Sequence, residues 1–287
     1  MRILHLADLH LAAGDAWQYG LVDTAARLQD VLAAVPQDFV PDVVVVAGDI
    51  SNDDSAASYD RALELVGGHA DALGVPLVWA PGNHDRAEHY RRLPQGEGVI
   101  PVPGGAIGVL DTRAKGRGHG RMPVDADAVL SALSRVRGER VVVMHHPPLP
   151  APTALHHALR LRGAHEWTDR IAEMGIAAIL CGHYHLAGIG EWGGAAVVVA
   201  PAVANQTVAT APWGTELAVA RHGVALVDTA DIAGTRFVHL GADEPQVVLR
   251  MDHERVALVA AHAGAADEPG GGLDDTGAAR SAAARWR

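Results

Sequence analysis

The sequence predicts an α/β protein in which two mixed β-sheets pack face to face, with helices covering both outer faces. Three observations carry that prediction. Apolar runs such as Asp42–Ala47 (DVVVVA) lack polar alternation, so such strands are buried on both faces, as in parallel sheets. In the first two-thirds of the chain these runs alternate with helical periods, the pattern of strand–helix–strand units. Beyond Ala195 the pattern becomes β-rich, which supplies further strands.

In chain order, Arg2–Ala7 reads as a strand and Thr24–Val35 as an amphipathic helix with Ala25, Leu28, Leu32 and Val35 on one face. Asp42–Ala47 is a fully buried strand, Tyr59–Leu73 a helix, and Pro76–Ala80 the next strand. Between Val99 and Met122, short strands broken by Gly and Pro suggest antiparallel pairing. Val141–Met144 and Ala177–Cys181 return to buried strands, with a helix over Glu166–Met174 between them. Ala195–Ala200, Thr215–Arg221, Val224–Asp228 and Thr235–Leu240 form the β-rich run. Residues 1–260 read as one domain. Residues 261–287, rich in Ala, Gly and Asp, read as a disordered tail.

A chain of 287 residues buries a large core. With 34 acidic against 23 basic residues, the net charge of −11 gives no general attraction to nucleic acid or anionic membranes; only a local basic groove would supply one. The single Cys181 rules out an intramolecular disulfide and fits a reducing compartment. The N-terminus has no signal-peptide pattern, and no apolar run is long enough to cross a bilayer. A cytoplasmic location is expected.

Five polar motifs follow in fixed order: Asp8-Leu9-His10, Gly48-Asp49, Gly82-Asn83-His84-Asp85, His145-His146-Pro147 and Gly182-His183-Tyr184-His185. Nearly all stand directly after an apolar run. Ligands of open α/β sheets bind beyond the carboxyl ends of the strands, so these side chains are expected to converge there. Asp, His and Asn without thiolate suit divalent Mn, Fe, Zn or Co, and so many ligands suit two ions better than one. Asp8 and His10, two residues apart, are expected to reach one metal. Asp49, with two carboxylate oxygens, can bridge two ions, and Asn83 offers a neutral oxygen. Gly82 is expected to adopt a backbone conformation that a Cβ would forbid. Singly each motif is weak; the ordered set is not.

This ordered set resembles the calcineurin-like metallophosphoesterase superfamily, with its pattern D-x-H, G-D, G-N-H-[DE], H and G-H-x-H. The resemblance covers about Met1 to Leu240. Leu110-Asp111-Thr112, Gly118-His119-Gly120-Arg121-Met122 and Met144-His145-His146-Pro147-Pro148 narrow it to the bacterial cyclic-nucleotide phosphodiesterase and glycerophosphodiesterase group. It implies a four-layer αββα sandwich and a dinuclear metal centre. Asp8, His10, Asp49 and His185 would hold one metal, and Asp49, Asn83, His145 and His183 the other. His145 is preferred to His146 because the family's ligand directly follows the strand. The resemblance makes His84 a hydrogen-bond donor and general acid, with Asp85 orienting it and Asn83 assisting. A leaving alkoxide needs such a proton in any case.

The expected reaction is attack of a metal-activated hydroxide on phosphorus, with ions ~3.5–4 Å apart. The expected substrate is a small phosphodiester, a 3′,5′-cyclic nucleotide in the first instance. A phosphomonoesterase or protein phosphatase on the same centre is the alternative. A DNA nuclease fits less well, because the chain has no basic footprint in its overall charge and little room for a DNA-capping domain. No nucleic-acid or membrane partner is expected. A homodimer is consistent with the group, the β-rich segment after Ala195 supplying an edge. Arg86, His119 and Arg121 are weaker candidates for the cleft, and His156, His157 and His165 carry no assignment. Cys181 is expected to pack as a small apolar residue. Asp53 and Asp54 are expected to cap the next helix or be solvated.

Overall fold

The computed structural model describes residues 1–94 and 98–263. Two sheets form its centre. The first has the order Arg236–Leu240, His222–Asp228, Arg2–Leu6, Val43–Ala47, Leu77–Ala80, and its last three strands are parallel. The second has the order Gly188–Trp192, Ala195–Val199, Ala178–Cys181, Glu139–Val143, Gly105–Val109, Val99–Val102. Its four inner strands are parallel and its two edge strands antiparallel.

Strand alternation explains the unbroken apolar runs. In Val43–Ala47, Val43 and Val45 point between the sheets, where they meet a cluster containing Ile107, Val143, Leu180 and Val198 from the second sheet. Val44 and Val46 point the other way, into a cluster with Leu28, Val31, Tyr59 and Val66 of the covering helices. The second sheet repeats this: Val142 and Ile179 pack outward against Val129, Leu133 and Ile171. Each central strand is thus buried twice, and helices close both outer faces in an αββα arrangement.

Most of the anticipated elements form, with informative differences. The first helix ends at Ala33 because Val35 precedes Pro36, which disfavours helical geometry. Asp23 caps its start by accepting from the Ala26 N–H at 2.9 Å. The next helical segment starts at Ala56 and runs through a π-helical stretch, Leu63–Gly67, to Leu73. Its cap is Ser55, not Asp53 or Asp54; Asp53 is exposed to solvent, the other outcome expected for it. Ala195–Val199 is paired on both sides and is no edge; in the segment after it, Arg236–Leu240 is the edge strand of the first sheet.

Two elements near the C-terminus escaped the sequence reading: the strand Val247–Met251 and the helix His253–His262. The helix crosses the expected domain end at 260, while residues 264–287 of the anticipated tail lie outside the described residues. Cys181 is buried in the outer cluster of the second sheet, as expected, and burial pushes its thiol well up. Among the described residues, no helix is long and apolar enough to cross a membrane.

Leu180 is fully buried between the sheets. Replacing it with Ala is expected to cost about 2–5 kcal/mol, read from the shift of a urea unfolding transition. A cost below ~1 kcal/mol would show that the intersheet layer repacks instead of holding a cavity.

Candidate metal centre and cleft

All five motifs stand beyond the carboxyl ends of parallel strands: Arg2–Leu6, Val43–Ala47, Leu77–Ala80, Glu139–Val143 and Ala178–Cys181. The chain must turn sharply there while aiming side chains inward, and the backbone records that demand. Asp8, His10, Asp49, His183 and His185 all have positive φ, between 44° and 71°. Such conformations cost non-glycine residues energy and persist only where the surroundings fix them. Asp8 and His10 therefore converge through a left-handed loop, not as neighbours on one strand face.

Glycine fits two of the turns for different reasons. Gly48 has a φ of +89°, and a Cβ on it would lie 2.5 Å from His145 Nδ1. Gly82 does not have a positive φ. It is needed because a Cβ would come within 2.2 Å of the Asp49 amide nitrogen and carboxylate. The requirement at Gly82 is space for Asp49, which corrects the conformational reason expected for it.

The donor atoms converge in overlapping groups. Asp8, His10 and His185 offer one ligand atom each within 4.8 Å of one another; so do Asp8, Asp49 and His145, and also His10, Asp49 and His84. Backbone partners decide which imidazole nitrogen is free. His145 Nδ1 lies 2.8 Å from the Ala47 carbonyl, His185 Nδ1 3.1 Å from the Asn205 carbonyl, and His183 Nε2 3.0 Å from the Leu159 carbonyl. A carbonyl only accepts, so each of those nitrogens carries the proton. That leaves lone pairs on Nε2 of His145, Nε2 of His185 and Nδ1 of His183.

Those nitrogens face further donor atoms. His185 Nε2 is 3.2 Å from His10 Nε2, either of which can carry the proton between them, while His145 Nε2 is 3.2 Å from Asn83 Oδ1 and 3.4 Å from Asp49 Oδ1. Burial, followed by the neighbouring His84 ring, holds His10 well below its usual range, so it is neutral. Facing acceptors repel unless positive charge lies between them. Burial would lower His145, yet the Asp49 carboxylate overrides it and lifts that ring to about 9. Burial would likewise raise Asp49, but the His145 and His84 rings hold it well below the carboxylate range. The cluster favours positive charge, and its oxygen and imidazole donors fit a pair of borderline divalent cations.

His146 joins His145 and His183 in a further close group. Its two nitrogens are both committed, Nδ1 to Thr112 Oγ1 at 2.8 Å and Nε2 to the Gly118 carbonyl at 3.2 Å. Burial lowers it to about 3, so the ring is neutral with no spare lone pair.

Asp85 departs from expectation. It was expected to orient His84, but its buried carboxylate accepts from the N–H groups of Ile50, Ser51 and Gly82 and from the Tyr59 hydroxyl at 2.9 Å. It joins the second and third motif loops into one unit, and the His84 amide in turn donates to Asp49 at 2.9 Å. Burial and the nearby Asp49 charge push Asp85 up to about 6. The His84 ring is exposed, edge-on to His10 at 4.8 Å between centroids.

Beside Asn83 and His84 opens a cleft of about 1310 Å³, whose lining includes Arg86, Arg113, Lys115, Arg117 and Arg255. The net charge of −11 hid this local basic wall. Arg86, a weak candidate from sequence, does line it, while its guanidinium also reaches Asp54 at 3.4 Å. His119 is buried, its Nδ1 3.4 Å from the Ala263 carbonyl. The residues missed from sequence are of two kinds. Asn205, which anchors His185 and is itself held by Gln18 at 2.9 Å, had no local signal. Arg255 had one: Asp252 caps the helix by accepting from the Arg255 N–H, and Val256 and Ala260 form the buried stripe behind it.

Removing the Asp85 carboxylate leaves buried N–H donors without partners, at ~1–3 kcal/mol each. Asp85→Ala is thus expected to lose several kcal/mol in urea unfolding, and Tyr59→Phe only about 1 kcal/mol. Equal effects of the two substitutions would mean the carboxylate does not hold the loops together.

Comparison with known proteins agrees with this geometry. The profile described as Calcineurin-like phosphoesterase matches residues 1–187. A cAMP/cGMP dual specificity phosphodiesterase of Mycobacterium tuberculosis is 31% identical over 225 residues, covering 74% of this chain and 71% of that protein. The 3′,5′-cyclic adenosine monophosphate phosphodiesterase CpdA of Escherichia coli is 29% identical over 259 residues, covering 83% and 92%. A dimetal phosphatase from Danio rerio shares the fold, with a TM-score of 0.50 at 15% identity over 86% of this chain and 98% of that one. With its profile match spanning most of the chain and every motif at a strand end, the chain belongs to the calcineurin-like phosphoesterase family.

Proposed function

We propose that this chain is a dinuclear metal-dependent phosphodiesterase hydrolysing small phosphodiesters, 3′,5′-cyclic nucleotides among them. The observation that carries this reading is the convergence of imidazole lone pairs and carboxylates around Asp49 at the mouth of an open cleft. The names of the relatives, cyclic-nucleotide phosphodiesterases at about 30% identity, support the substrate class.

In this reading Asp8, His10, Asp49 and His185 hold one ion, and Asp49, Asn83, His145 and His183 the other, drawn from Mn, Fe, Zn or Co. When bound, the two ions supply Lewis acidity, lowering the pKa of water and neutralising phosphate charge. The remaining work falls to the chain. Asp49 and Asp8 fix the charge of the centre, and the Ala47, Leu159 and Asn205 carbonyls set which nitrogen each ring presents. His84, exposed beside Asp49 and His10, gives its proton to the departing oxygen. Asn83 orients the phosphate from the same turn. His146, with both nitrogens engaged, braces the Thr112 and Gly118 loop.

Four outcomes test the reading. Mn-loaded protein is expected to prefer bis(p-nitrophenyl) phosphate to p-nitrophenyl phosphate and to lose activity on chelation; the opposite preference would favour a phosphomonoesterase. Asp49→Ala is expected to bind neither ion stably by elemental analysis. His145→Ala should lose one ion and His146→Ala neither, whereas loss of metal in His146→Ala would reverse that assignment. His84→Ala should keep its metals yet lower kcat on cyclic AMP by ~10²–10⁴-fold, with a smaller drop on p-nitrophenyl esters, whose leaving group needs no proton. An equal drop on both substrates would remove His84 from the acid role.

A further inference from the structure

The cleft beside the metal-ligand cluster is larger and more basic than a cyclic mononucleotide requires. Its volume of about 1310 Å³ exceeds the ~300–1,000 Å³ usual for small-ligand pockets. Its lining carries five Arg or Lys side chains against two Asp. Both carboxylates are already matched. Asp85 is enclosed by backbone donors, and Asp111 is bound by Arg113 through Nε at 2.8 Å and a second guanidinium nitrogen at 2.6 Å. Lys115 and Arg255 are exposed and make no ion pair among the described residues.

These two cations come from separate elements. Lys115 lies in the loop after Arg113, and Arg255 on the helix His253–His262. The two elements are tied together where the Gly118 N–H donates to the Ala263 carbonyl at 3.2 Å. The helix also packs Ala260 against Ala158, which fixes it to the body. Leu258 lines the same cleft while 57% exposed, an apolar surface suited to a base or sugar. A cyclic mononucleotide brings one phosphate, and in the phosphodiesterase reading the metals take it.

We propose that Lys115 and Arg255 form a second anion subsite, so that the preferred substrates are linear phosphodiesters carrying a further terminal phosphate. The inference rests on the phosphodiesterase reading for its catalytic half, and on this cleft alone for its binding half. The subsite acts on affinity and orientation, not on the reacting bond. Charge-assisted contacts of this kind are worth enough to change affinity about tenfold.

The test compares the dinucleotides pApA and ApA, which differ only in the terminal phosphate, on metal-loaded protein. The kcat/KM ratio of pApA to ApA is expected to be about ten or more in the unaltered chain. It should fall toward one in Lys115→Ala/Arg255→Ala. In parallel, calorimetry on the unaltered protein and this variant uses methylphosphonate-linked analogues of the same pair, which resist hydrolysis. The phosphorylated analogue should bind more tightly to the unaltered protein only. A ratio near one in the unaltered protein, or a ratio the double variant preserves, overturns the subsite. Faster turnover of long single-stranded DNA than of pApA overturns the small-substrate assignment. If metal-loaded protein hydrolyses no diester, bis(p-nitrophenyl) phosphate included, the phosphodiesterase reading fails. The calorimetric pair still decides the subsite in that case.

Discussion

The arrangement on which the rest depends is a set of buried acceptors turned toward one another. Asp8 and Asp49 are almost wholly enclosed, and ring nitrogens of His10, His145 and His185 face the same few ångströms. In a low-dielectric interior such a cluster is unfavourable without positive charge, which explains why Asp49 lifts His145 so far. Two divalent cations would relieve the same conflict more completely than protons do. The family's chemistry is therefore written in an electrostatic demand that the fold creates.

Meeting that demand requires backbone that most residues avoid. Five of the residues in the cluster sit in left-handed conformations, and Asp85 spends its whole carboxylate joining two of the loops that carry them. The doubly buried strands supply the rigidity that keeps these turns in place. Asp85 thus serves the site through the backbone, by tying the Asp49 turn to the Asn83–His84 turn. Reach to His84 along the chain is irrelevant once the carboxylate is committed elsewhere.

The two halves of the site answer different physical needs. The metal-ligand half is enclosed and fixed by carbonyls that set each imidazole tautomer. The cleft half is open, and its basic groups lie on a loop and on a helix joined where Gly118 and His119 meet the Ala263 carbonyl. Binding energy gathered there, away from the reacting bond, is the usual source of discrimination between substrates that share a scissile group. In the phosphodiesterase reading, an acidic chain with a basic cleft beside the centre would concentrate anionic ligands there.

The local signals sufficed for the sheets, the strand-end location of the motifs and the identity of the metal-ligand candidates. Each of these follows from short-range pattern: an apolar run buries a strand on both faces, and a polar motif at its end must emerge at the carboxyl edge. Asp8, Asp49 and His183 could be chosen because each stands within two residues of the end of such a run. The roles of Asp85 and His146 could not, because a side chain's partner is set by which distant loop lies against it. Here Ile50, Ser51 and Tyr59 meet Asp85, while Thr112 and Gly118 meet His146. Asn205 and Arg255 likewise reach the site from far along the chain. The sequence by itself determined which chemistry the strand ends can host. Tertiary packing alone decided which nitrogen each ring presents, which carboxylate is structural and where the basic cleft opens, because each depends on contacts between residues remote in the chain.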